Sequence, residues 1–258
     1  MPTPQHHQAS TFSQAPLRHG DTHDVETTGV FQGGKYKIDH RDSNTLLSVT
    51  LQPEAQIKVK PGAMLAMDPT MQIQGKVPHM QHHSFSKFFS GEEASESIFT
   101  GPGEVLIAPE VWGDIVPITL DGQAPWSVSK YAFLASTSGL VRGVRSQGFA
   151  KGLFSGEGFF VSEISGQGTL WVQAIGAIVQ RHLRPGEEWI VDNGHLVAWS
   201  AQYKVETIKA KGGLLSKLHT DEGKVCRFTG PGTVYIQTRN PDTLIGWITA
   251  EQSARAGN

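Results

Sequence analysis

Short stretches in which apolar and polar residues alternate recur along the chain, at residues 35–38, 46–51, 57–59, 104–108, 116–120, 131–136, 169–174, 196–201, 203–208, 233–238 and 243–248. A period of two places one side of each stretch on a core and the other toward solvent, which is the signature of a β-strand. Turn residues separate the stretches at intervals of about 8–12 residues, the spacing of a sandwich or barrel. Helix is expected only in short loops at residues 86–89 and 148–154, where apolar residues bunch on one side. The pattern predicts an all-β protein.

Three of the strands are preceded by the same turn. Thr100-Gly-Pro-Gly-Glu-Val-Leu-Ile-Ala-Pro109, Ser165-Gly-Gln-Gly-Thr-Leu-Trp-Val-Gln-Ala174 and Thr229-Gly-Pro-Gly-Thr-Val-Tyr-Ile-Gln-Thr238 align without gaps, 65 and 64 residues apart. Gly101, Gly103, Gly166, Gly168, Gly230 and Gly232 are the expected turn residues, because glycine accepts a positive φ at no steric cost. Proline between two of these pairs fixes its own φ near −65°. Upstream of each turn lies an apolar stretch beside a lysine, containing Phe88 and Phe89, then Leu153 and Phe154, then Leu214 and Leu215. Farther upstream stand three strand entries that begin at Pro61, Pro125 and Pro185. The expected organisation is a single β domain over residues 28–250, made of three repeats at about 28–110, 111–176 and 177–250. Each repeat exceeds a usual solenoid unit, so a closed or stacked assembly is expected rather than an open array.

Composition narrows the function classes. The chain has 258 residues, with 22 Lys plus Arg against 24 Asp plus Glu and a net charge of −2, which argues against a generally basic nucleic-acid binder. The 29 glycines and 14 prolines fit a turn-rich fold. A single cysteine, Cys226, excludes an internal disulfide framework and a multi-cysteine metal site. No apolar run reaches 18 residues. Residues 1–27 are polar, hold few large apolar residues, and are expected to be disordered. They lack the apolar core of a secretory signal. They also depart from an Arg-rich presequence, since Arg18 is followed by Asp21, Asp24 and Glu26. Residues 251–258 read as a polar tail.

The stretch Lys151-Gly-Leu-Phe-Ser-Gly-Glu-Gly158, the following Gly166-Gln-Gly-Thr-Leu-Trp-Val-Gln-Ala174, the Thr-Gly-Pro-Gly turns at Thr100 and Thr229, and Val59-Lys-Pro-Gly-Ala63 resemble the altered inheritance of mitochondria protein 24 family, a TRAP-like family of unknown biochemical function. The resemblance covers residues 30–250. It implies a double-stranded β-helix or β-sandwich of three structural repeats, each similar to a subunit of the tryptophan RNA-binding attenuation protein. It implies a link to mitochondrial inner-membrane organisation and a mitochondrial location. Bacterial members of the family make the cytoplasm the alternative. No catalytic residue belongs to the family's pattern.

The chemistry-bearing residues form no recognisable catalytic set. His79, His82 and His83 are the candidate metal ligands by proximity, yet they sit in a Gln- and Ser-containing loop without a neighbouring cysteine. His182 and His195 read as strand or turn residues. The Gly-x-Gly turns precede strands, whereas a phosphate cradle opens a helix. Cys226 falls in an alternating strand and reads as a buried, inert thiol. Glu187, Glu188 and Asp192 read as solvated turn carboxylates. Local basic clusters, Arg142–Arg145–Lys151 and Lys204–Lys209–Lys211–Lys217, offer a patch for RNA without a favourable net charge. The expectation is a non-enzymatic scaffold or interaction protein without a cofactor. Its apolar loops would serve self-association, a protein partner or a membrane surface. A small-molecule or RNA binding module is the second reading, and a cupin-like metal enzyme the third.

Overall fold

The computed structural model describes residues 27–76, 96–144, 161–206 and 225–256. An N-terminal hairpin, β1 (Thr28–Phe31) and β2 (Gly34–Asp39), leads into three successive units of six strand segments. The first unit holds β3 (Leu46–Leu51), β4 (Gln56–Val59), β5 (Met64–Met67), β6 (Gln72–Lys76), β7 (Glu96–Thr100) and β8 (Gly103–Ile107). The second holds β9 (Gly113–Asp121), β10 (Trp126–Ser129), β11 (Phe133–Thr137), β12 (Leu140–Val144) and β13 (Val161–Ile175), which at 15 residues serves as both fifth and sixth segment. The third holds β14 (Ile178–Leu183), β15 (Glu188–Asp192), β16 (Leu196–Trp199), β17 (Gln202–Glu206), β18 (Val225–Thr229) and β19 (Gly232–Gln237).

The antiparallel pairing takes one form in all three units. The sixth segment lies between the first and third: β8 between β3 and β5, the second half of β13 between β9 and β11, and β19 between β14 and β16. The fifth segment lies between the second and fourth: β7 between β4 and β6, the first half of β13 between β10 and β12, and β18 between β15 and β17. Each unit is therefore a sandwich of two three-stranded layers. Neighbouring units are joined by strand pairing, β4 with β11 and β10 with β16. The result is four sheets. One has the order β1-β2-β3-β8-β5 and another β15-β18-β17, while the eleven-stranded assembly between them is two sheets that share β13.

Alternation along the strands fills the spaces between successive sheets. Leu47, Val49, Leu51, Val105 and Ile107 meet Ile57, Val59, Phe99 and Trp171 in the first core. Val116, Ile118, Leu120 and Leu170 meet Val128, Ile164 and Tyr235 in the second. Leu183, Leu196, Trp199 and Val234 meet Val191, Cys226 and Phe228 in the third. Aromatic rings pack edge to face at the larger positions, Trp171 against Phe31 and Tyr36, and Trp199 against Phe228.

One sequence expectation is corrected here. Residues 243–248 are not a strand; they belong to the helix α1 (Pro241–Ala256), which also takes in residues 251–256 of the polar tail. The run of β-branched and aromatic residues suggested a strand, but the start signal in front of it prevails. The Asn240 side chain accepts from the Asp242 N–H at 2.9 Å, Pro241 holds a helical φ in the first turn, and the Asn240 carbonyl accepts from the Leu244 N–H at 3.1 Å. No helix among the described residues is long and apolar enough to cross a membrane.

Candidate interaction site

The six turn glycines occupy the joint between the fifth and sixth segments of each unit, but they do not all act alike. Gly103, Gly168 and Gly232, the second of each pair, have φ of 142°, 152° and 151°. Of the first members only Gly166 has a positive φ, at 102°. Gly101 and Gly230 are demanded by close approach instead, since a Cβ on either would run into the Gln52 or Arg184 carbonyl oxygen. The turns are thus packed closely into the sandwich.

The other sequence candidates fall between the fourth and fifth segments. His79, His82, His83, Phe88 and Phe89 lie between β6 and β7; Leu153 and Phe154 lie between β12 and β13; Leu214 and Leu215 lie between β17 and β18. All of them are outside the described residues. So are the two short helices expected at residues 86–89 and 148–154, and all of the basic-cluster residues but Arg142 and Lys204.

Several of the described titratable groups bind separate segments to one another. Arg41 donates from Nε to Asp114 Oδ1 at 3.0 Å and from Nη2 to Asp114 Oδ2 at 2.9 Å, and also reaches the Ile115 carbonyl at 3.0 Å. Thr45 Oγ1 and the Ile115 N–H add bonds to the same carboxylate. This clamp pins the loop before β3 to the start of β9. On the outer face of the third unit Arg227 bridges Glu206 and Glu188 across three strands. It holds the Glu206 carboxyl below its ordinary range, and Glu206 raises Arg227 in return. Glu187 is likewise lowered, by the Arg184 N–H and the Arg181 guanidinium. Asp192 accepts from the Gly194 N–H. His182 sits in β14 beside Thr233 Oγ1, and His195 contacts the Gln237 carbonyl. Arg142 lies over the Phe133 ring and donates to Ser162, and burial lowers its pKa against an opposing pull from Glu96. Burial pushes the Cys226 thiol up to about 12, with Asp192 adding to the rise. Among the described residues no three His, Cys, Asp or Glu side chains converge as a metal-ligand set.

What the surface does present is an apolar edge. β5 reads Met-Leu-Ala-Met, and its residues Met64, Leu65 and Ala66 are exposed. Val111 and Trp112, in the link between the first and second units, are exposed beside it. These elements border an open groove of about 520 Å³ lined by His40, Leu46, Leu65, Ala108, Val111 and Trp112, among others. At the far end of the molecule β15 forms the edge of its three-stranded sheet, with Ile190 exposed. The strand entries at Pro61 and Pro185 are legible in the sequence, but the difference between an edge strand and a covered one is not. Burial depends on neighbours that the strand's own residues do not name.

Comparison with known proteins fits this architecture. A family model described as mitochondrial biogenesis AIM24 matches residues 36–239. An uncharacterized protein of Streptococcus pyogenes serotype M6 is 32% identical over 162 residues, which are 62% of this chain and 64% of that protein. The chain therefore covers less than two thirds of that relative's length. The X-ray crystal structure of another Streptococcus pyogenes protein superposes with a TM-score of 0.67 at 24% identity, covering 84% of this chain and 99% of that one. That likeness speaks for the fold.

Proposed function

The chain belongs to the mitochondrial biogenesis AIM24 family, and from that premise we propose that it is a non-enzymatic scaffold supporting mitochondrial organisation by holding protein chains together, copies of itself included. The exposed apolar edge at β5 carries this reading. Leu65, Val111 and Trp112 stand open to solvent around one groove, with Met64 exposed next to Leu65 on the same strand, and an exposed apolar patch of this kind marks a docking surface. The described charged groups support it from the other side, since Arg41 and Arg227 are committed to tying strands together. The family's name argues for a mitochondrial setting, while the streptococcal relative keeps a bacterial-type cytosolic role as the alternative.

Two measurements test the proposal. Proximity labelling from the full-length chain is expected to mark mitochondrial organising proteins and further copies of the chain. A neighbourhood of metabolic enzymes or ribonucleoproteins would count against it. Static light scattering is expected to give a mass that exceeds one chain and rises with concentration, and a strict monomer at tens of micromolar would remove self-association from the reading.

A further inference from the structure

The two pairings that join the units are one interaction made twice. β4 meets β11 with Val59 opposite Ala135 and Lys58 opposite Ser136. β10 meets β16 with Val128 opposite Ala198 and Ser127 opposite Trp199. In both, the second strand of one unit pairs with the third strand of the next. In every unit that third strand has a register shift just before an alanine, between Met64 and Ala66, Phe133 and Ala135, and Leu196 and Ala198. The skipped residues, Leu65, Leu134 and Val197, are therefore equivalent. Leu134 and Val197 are 0% exposed, whereas Leu65 is 63% exposed. The difference lies in what covers them: β4 and β10 lie along the other two third strands, and among the described residues β5 pairs with β8 alone.

The cores show the same gap from the opposite end. The first core takes Ile115, Leu134, Ala135 and Trp171 from the second unit. The second core takes Val197, Ala198 and Tyr235 from the third unit, with Ile178 packed against it. The third core, among the described residues, takes nothing from a following unit. The residues of the first unit at the matching positions are Leu46, Leu65, Ala66 and Leu106, and none of the four is fully buried. Two of them, Leu46 and Leu65, line the groove at the β5 edge. One end of the molecule lacks the side chains that the other end leaves in solvent.

We infer that the partner of the β5 edge is the β15 edge of a second copy of this chain, joined head to tail in the register of the internal junctions. Val191 of one copy stands opposite Ala66 of the next, and Ile190 opposite Met67, by direct extension of the Val59–Ala135 and Lys58–Ser136 pairs. The five-stranded and three-stranded sheets become one sheet, and Leu65, Ala66 and Leu106 enter the third core of the neighbouring copy. The contact is heterologous, since two different edges meet, so it propagates into a ring or a filament and not into a two-fold dimer. It rests on the self-association proposed above and names its surfaces. An unpaired strand edge presents main-chain donors and acceptors that another strand can meet, and strand addition joins two chains through those hydrogen bonds.

Complementation and cross-linking of the full-length protein test this. Leu65→Lys disables one edge and Ile190→Asp the other, since a short acidic side chain is poorly accommodated in a paired strand, and both positions are exposed, so the fold is retained. Each variant alone is expected to fall to the single-chain mass in light scattering. An equimolar mixture is expected to form a two-chain complex and stop there, because each variant keeps one intact edge. A Met67→Cys chain mixed with an Ile190→Cys chain is expected to give a disulfide-linked pair under mild oxidation, in at least ten times the yield of Ile190→Cys alone or of Ile190→Cys mixed with Ile73→Cys. If the wild type associates but the mixed variants do not pair, or Ile190→Cys links chiefly to itself, this inference falls and self-association stands. If the wild type stays a single chain throughout, both fall.

Discussion

Cys226 and Tyr235 each make the stability of this fold depend on pH in alkali. Both are buried, and burial holds the folded-state thiol and the phenol each up to about 12, from ordinary values of 9.0 and 10.0. Above pH 9 the unfolded chain releases the thiol proton, and above pH 10 the phenolic proton, while the folded chain keeps both. The unfolded state then binds fewer protons, so stability falls as pH rises from 9 toward 12 and is indifferent to these groups below 9. Urea midpoints measured at pH 8 and pH 11 should differ for the wild type. Cys226→Ala and Tyr235→Phe should each reduce that difference. The same burial predicts that native protein at pH 8 leaves Ellman's reagent unreacted and that one thiol appears on unfolding, because a thiol of that pKa is almost wholly protonated. Cys226 could be placed in a core from its alternating strand alone. The raised pKa could not, since it comes from complete burial in the packed core, with Asp192 of β15, brought near by sheet pairing, adding to it.

Among the elements, the turn between the fifth and sixth segments makes strict demands on local geometry. At Gly232 a Cβ would lie 2.5 Å from the Ala201 Cα and 2.7 Å from its N, on top of a φ of 151°. At Gly186 the φ is also positive, 77°, but a Cβ would meet nothing within 4 Å. Gly186→Ala should therefore cost about 1–2 kcal/mol, the backbone penalty alone. Gly232→Ala should cost about 3 kcal/mol or more, since backbone strain is joined by a clash that no side chain can relieve. Chemical denaturation of the two variants separates the contributions, and equal losses would show that the close approach is relieved elsewhere. The repeated Gly-x-Gly was legible in the sequence as a turn. Which glycine needs its φ and which needs its missing side chain was not, because the second case is set by Gln52 and Arg184, far away in the chain. The helix α1 departs from expectation for the opposite, local reason, that a β-branched run weighs less than a cap and a proline placed ahead of it.

For the whole molecule, the decisive feature is that each core draws on two consecutive units. Leu170 lies in the second core with Val197 and Ala198 of the third unit, and its own β13 also carries Trp171 into the first core. Leu170→Ala should cost about 2–5 kcal/mol and should lower the stability of all three units together. Amide exchange in β3 and in β18 would then report the same loss of protection. A loss confined to the second unit would show that the sandwiches open independently. The amino-acid sequence by itself determined the all-β class, the period of the turns, and the side of each strand that faces a core, because alternation and glycine placement are local properties of the chain. Only the tertiary structure decided which strands are covered. Leu65, Leu134 and Val197 are apolar residues in apolar strands, and what separates an exposed side chain from a buried one is whether another unit's second strand lies alongside. That is a pairing between distant segments, written in no residue of the strand it covers.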